Sequence, residues 1–94
     1  MIKAQSTIKA ELISASGCKA CADARDRLKA IVDELGPEHV SWREVDILEE
    51  LDYVVELGVL SPPAIAIDGE LVFPALPTPE RLRAELIRRL EIQQ

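Results

Sequence analysis

The spacing of apolar residues along the chain changes several times, and each change predicts an element. From Thr7 to Ser14, Ile8, Leu12 and Ile13 alternate loosely with Thr, Lys and Glu, which reads as a strand. From Cys21 onward the interval becomes three and four. Cys21, Ala24, Leu28, Ile31 or Val32 and Leu35 form the stripe of an amphipathic helix, Lys19 to Leu35, which Gly36-Pro37 stops. Val40 to Asp46 returns to strand spacing, with Val40 and Trp42 on one face and Val45 on the other. Leu48, Leu51, Val54 or Val55 and Leu57 predict a short helix facing inward along that line, ended by Gly58. After the break at Ser61-Pro62-Pro63, the apolar run Ala64-Ile65-Ala66-Ile67 suits a central strand. Asp68-Gly69 is a two-residue hairpin signal, so Glu70 to Phe73 is the returning strand. Pro74 and Pro77 bracket a loop. Thr78 caps a last helix, with Pro79 in its first position, Glu80 in its first turn and Leu82, Leu86 and Leu90 as its inner stripe. Arg88 and Arg89 suit its C-terminal end.

The predicted order is β-α-β-α-β-β-α. A parallel pair joined by a right-handed crossover, plus an antiparallel hairpin, makes a four-stranded mixed sheet flanked by helices, an α/β architecture. No repeat, low-complexity tract or linker divides residues 1–94, which read as one domain. At 94 residues and 48% hydrophobic composition, the chain is long enough for one core of its own.

Charge and cysteine usage narrow the function classes. The net charge of −6 argues against nucleic acid or an anionic membrane surface as partner. Most of that acidity lies between Glu38 and Glu56, where seven carboxylates face Arg43 alone, and it reads as a solvated surface. No stretch reaches 18 consecutive apolar residues, and the first 15 hold no signal-like apolar run, so a cytoplasmic monomer is expected. His39, the only histidine, falls in the turn after the first helix and reads as a solvent-exposed residue.

Both cysteines stand in Ser16-Gly17-Cys18-Lys19-Ala20-Cys21, where the first strand runs through a short loop into the first helix. A helix N-terminus favours an anion, so Cys18 is expected to ionise below the free-cysteine value of about 8.5. Cys21, one turn further in, lies on the same helical face and within reach of a disulfide. One exposed attacking sulfur and one recessed sulfur suffice for thiol–disulfide exchange. Two thiolates before a helix also suit a soft metal, so a Cu(I) or Zn carrier is the alternative, with a redox-inactive interaction module as a third reading.

With Cys-x-x-Cys at the first strand–helix junction and a proline before the third strand, the chain resembles the thioredoxin fold. More narrowly it resembles the small glutaredoxin-like and thioredoxin-like redox-active disulfide proteins. The resemblance runs from Ile8 to about Leu90 and is carried best by Gly17–Cys21 and by Pro63–Gly69. It implies that Cys18 is the nucleophile and Cys21 the resolving cysteine. It also implies that Pro63 is a cis-proline facing them, and that the backbone of Pro62, with Gly17 and Lys19 opposite, meets the substrate. The implied partners are a disulfide-bearing protein or small-thiol substrate and an unspecified reductase or thiol donor, with no cofactor. The sequence departs from the family pattern in three places. Lys19-Ala20 separates the cysteines in place of Gly-Pro or Pro-Tyr. Leu12 occupies the strand position where thioredoxins bury an acid. Pro74-Ala75-Leu76-Pro77 replaces the Gly-Gly and Asp with which glutaredoxins hold glutathione.

Overall fold

The computed structural model describes residues 7–92, so the two ends of the 1–94 span read as one domain lie outside it. The elements are β1 (Ile8–Ser14), α1 (Lys19–Leu35), β2 (Val40–Asp46), α2 (Leu51–Leu57), β3 (Ala64–Ile67), β4 (Glu70–Phe73) and α3 (Pro79–Ile92). They form a four-stranded sheet in the order β2-β1-β3-β4. β1 pairs in parallel with β2 from Ile8↔Val40 to Ser14↔Asp46, and antiparallel with β3 through Leu12↔Ile65 and Ile13↔Ala64. β3 and β4 form the hairpin. Asp68 and Gly69 take φ values of 52° and 79°, the left-handed pair that a two-residue type I′ turn requires. The Asp68 carboxylate also accepts the Lys9 backbone N–H at 2.9 Å, fastening the turn to β1.

The two sheet faces bury different sets of residues. Ile8, Ala10, Leu12, Val40, Ile65 and Ile67 pack under α1 and α3, which contribute Ala24, Leu28, Val32, Leu82 and Leu86. The opposite face gathers Ile13, Val45, Ala64 and Ala66 beneath Val54 of α2. All four residues of β3 are therefore buried: its isoleucines serve one core and its alanines the other. This is the physical reason for its unbroken apolar run, since a central strand covered on both faces needs no polar side.

One predicted element shifts. α2 begins at Leu51, because the Asp46 carboxylate and carbonyl take the backbone N–H groups of Leu48, Glu49 and Glu50 into a closed turn. The helix then turns Tyr53, Val54 and Leu57 toward the sheet. Leu48 and Leu51, expected to face inward, are 75% and 54% exposed, and Val55 is exposed as well.

Candidate redox site

β1 delivers the chain to Ser14, and Gly17 turns it with a φ of 79° that glycine adopts without strain. The Cys18 N–H donates to the Ala15 carbonyl at 3.1 Å and closes the loop. Cys18 is the N-cap of α1, in extended conformation, and its Sγ accepts the Cys21 backbone N–H at 3.1 Å. That bond places the sulfur in the anion-stabilising position at a helix N-terminus, where a thiolate gains most. Cys18 and Cys21 are joined as a disulfide, with Cα atoms 5.2 Å apart, an S–S length of 2.16 Å and χ3 of 77°. Cys18 is half-buried, whereas Cys21 is 4% exposed. Lys19 and Ala20, between them, point to solvent.

The chain returns to this end of the sheet just before β3, the strand that neighbours β1. The Pro62–Pro63 peptide bond is cis, and both prolines are half-buried. Ala64, which follows, pairs with Ile13 near the end of β1. The register therefore puts Pro62 and Pro63 at the same end of the sheet as Gly17, Cys18 and Lys19. His39 stands at the opposite end, where its carbonyl accepts the Ile8 N–H, and its ring is exposed. Among the described residues, no three His, Cys, Asp or Glu side chains gather into a metal-ligating group.

A small cavity of about 200 Å³ opens beside the disulfide, lined by Ser14, Cys18, Cys21, Arg25 and Glu44 among others. In the sequence Glu44 is one carboxylate of an acidic stretch. Strand alternation could have found it, because residue 44 lies on the same face of β2 as Val40 and Trp42, the face that α1 covers. Leu12, its register partner on β1, is wholly buried in the core.

The Thioredoxin domain family profile matches residues 7–87. The chain belongs to that family. A thioredoxin of Methanocaldococcus jannaschii is 28% identical over 85 residues, spanning 90% of this chain and 99% of that one. Among solved structures, thioredoxin 1 of Thermosipho africanus superposes with a TM-score of 0.73 at 18% identity, covering 89% of this chain and 96% of its own. Thioredoxin of Trypanosoma brucei brucei superposes with a TM-score of 0.71 at 20% identity, covering 90% and 76%. Family, fold and the Cys18–Cys21 disulfide together make this thioredoxin-family protein a thiol–disulfide oxidoreductase. No helix of the described residues is long and apolar enough to cross a membrane.

This thioredoxin-family domain also buries an acid, away from the disulfide on the α2 face. Glu11 is 6% exposed and accepts from Arg43 Nε at 3.0 Å, Arg43 Nη2 at 2.8 Å and the Tyr53 hydroxyl. Arg43 extends the network to Glu50 at 2.8 Å and stacks 5.8 Å from the Tyr53 ring centre. Burial, followed by the hydrogen bond to Glu11, pushes the Tyr53 phenol up to about 12. The same two carboxylates hold the Arg43 guanidinium above its ordinary value. In the sequence Glu11 is one of the polar residues interleaved in the first strand. The partners that allow its burial are 32 and 42 residues distant, so no local pattern announces them.

Proposed function

We propose that Cys18 is the attacking sulfur and Cys21 the resolving sulfur of a dithiol that exchanges with protein or small-molecule disulfides. The observation that carries this assignment is the asymmetry of the pair: Cys18 caps the helix at the edge of the site, while Cys21 is 4% exposed behind it. In the reducing direction, the Cys18 thiolate attacks one substrate sulfur and the other leaves with the bonding electron pair. Cys21 then attacks Cys18, closing the Cys18–Cys21 disulfide and releasing the second substrate thiolate. A reductase or thiol donor returns the two electrons. Gly17 and Lys19 on one side, and the Pro62 carbonyl with Pro63 on the other, flank the line along which an extended substrate segment would approach. Pro62 has no N–H, so only its carbonyl is available for such pairing, which favours loose substrate selection. A reducing compartment, the cytoplasm, suits a protein whose two cysteines form one working pair, and a monomer leaves the site open.

Trapping tests the roles. Cys21→Ser is expected to accumulate mixed disulfides through Cys18 when the reduced protein meets oxidised substrates, and Cys18→Ser to accumulate few. Intact-mass measurement separates the two, and equal trapping by both variants would overturn the assignment.

A further inference from the structure

Cys21 poses a chemical problem that the disulfide itself does not solve. To resolve a mixed disulfide its thiol must lose a proton, since the thiolate is the nucleophile, and burial in apolar surroundings opposes that loss. At 4% exposure, Cys21 has little direct access to bulk water. Cys21 lines a cavity of about 200 Å³ beside the disulfide. At a share of about 30 Å³ each, it has room for several water molecules.

Two charged side chains line that cavity, Arg25 from α1 and Glu44 from β2. They lie 3.7 Å apart, Arg25 Nη1 to Glu44 Oε1. The first strand contributes only the neutral Ser14, and Asp26 faces Arg25 Nε from outside at 3.7 Å. Arginine has no acceptor site and stays protonated, so it cannot take the proton. A carboxylate can. Arg25 instead offers the carboxylate a partner at the cavity wall, and Glu44, with 38% side-chain exposure, can pass a proton on to solvent.

We propose that Glu44 is the proton acceptor for Cys21 in the resolving step, a role that rests on the reading of Cys21 as the resolving sulfur. The Cys21 proton moves to a Glu44 carboxyl oxygen, directly or through cavity water. The Cys21 thiolate attacks Cys18 Sγ, the Cys18–Cys21 bond forms, and the bond from Cys18 to the substrate breaks. The electron pair of that bond leaves on the substrate sulfur, and Glu44 returns its proton to that sulfur or to water. Two electrons pass from the dithiol to the substrate, and Glu44 ends as it began.

Mixing the reduced protein with dithiobis(nitrobenzoate) in a stopped-flow instrument tests this, because each exchange step releases one coloured thionitrobenzoate. The first release reports attack by Cys18 and the second reports resolution by Cys21. Glu44→Gln is expected to slow the second release about 10²-fold at neutral and lower pH, the low end of what a general base supplies. The difference should narrow only as pH rises above the free-thiol value of about 8.5, where a thiol whose ionisation burial opposes begins to lose its proton without a base. Glu44→Asp, which keeps the carboxylate, should recover part of the rate with the wild-type form of pH dependence. An unchanged second release, or a slowing that is equal at every pH, would overturn the role of Glu44 while leaving the two-step reaction intact. If wild-type protein itself shows no second release, the resolving role of Cys21 fails, and the inference fails with it.

Discussion

Tyr53 is the only tyrosine of the chain, so the near-ultraviolet absorbance of its phenolate reports the buried Glu11 network without interference. In the folded protein the phenol is pushed from 10.0 up to about 12 by burial first, then by its hydrogen bond to Glu11 and by the charge of Glu11. A rise from 10.0 to about 12 sets an upper bound of ~3 kcal/mol on how strongly the fold prefers the neutral phenol. Because the folded value is the higher one, that stabilisation is complete below pH 10 and is lost as pH rises from 10 through about 12. Glu11→Gln removes the charge and weakens the acceptor but leaves the burial. The Tyr53 midpoint should therefore fall toward 10.0 without reaching it. The same substitution turns two charge-assisted bonds from Arg43 into weaker ones, which should cost roughly 1–2 kcal/mol. For a domain of this size each kcal/mol lowers Tm by about 4–8 °C. Absorbance titration of wild type and variant, with far-ultraviolet circular dichroism to confirm that both stay folded, gives the comparison. A wild-type midpoint equal to that of denatured protein, or a midpoint that Glu11→Gln leaves in place, would refute the coupling of Tyr53 to a buried Glu11.

Two further outcomes test other parts of the fold. Hydrogen bonds from Arg88 and Arg89 outweigh burial and hold the Glu85 carboxyl below the ordinary carboxylate value of 4.5. Its stabilising contribution is therefore present above that value and lost as pH falls through the lowered one, so Glu85→Gln should flatten the acid limb of a urea-denaturation stability profile. Leu28, 2% exposed on the helix that Cys18 caps and that carries Cys21, packs in the same core as Leu82 and Leu86. Leu28→Ala should cost about 2–5 kcal/mol by urea denaturation, and a loss under about 1 kcal/mol would show that the interface tolerates the void.

The elements that the sequence determined by itself are those whose cause is local. α1 was legible to the residue, because the three-and-four spacing from Cys21 to Leu35 and the stop at Gly36 are properties of one contiguous segment. The Asp68-Gly69 turn, the Thr78 and Pro79 helix start and the Cys18 cap are of the same kind. Adjacent residues decide the backbone there, whatever the rest of the chain does. The redox pair was legible for a related reason: a spacing of three at a helix N-terminus brings two sulfurs together through helix geometry alone.

Tertiary structure decided what depends on residues brought from afar. α2 starts three residues later than its leucine spacing suggests, because Asp46 closes a turn over Leu48 to Glu50 and Tyr53 must reach Glu11 across the sheet. Glu11 is buried because Arg43 and Tyr53 arrive from two other elements to satisfy it, and a buried carboxylate without them would be prohibitively costly. Glu44, one acid among seven in its stretch, gains its place beside Cys21 from the register of β2 on β1 and the packing of α1 across both. A strand alternates its faces whatever it pairs with, but only the assembled sheet settles which neighbour each face meets.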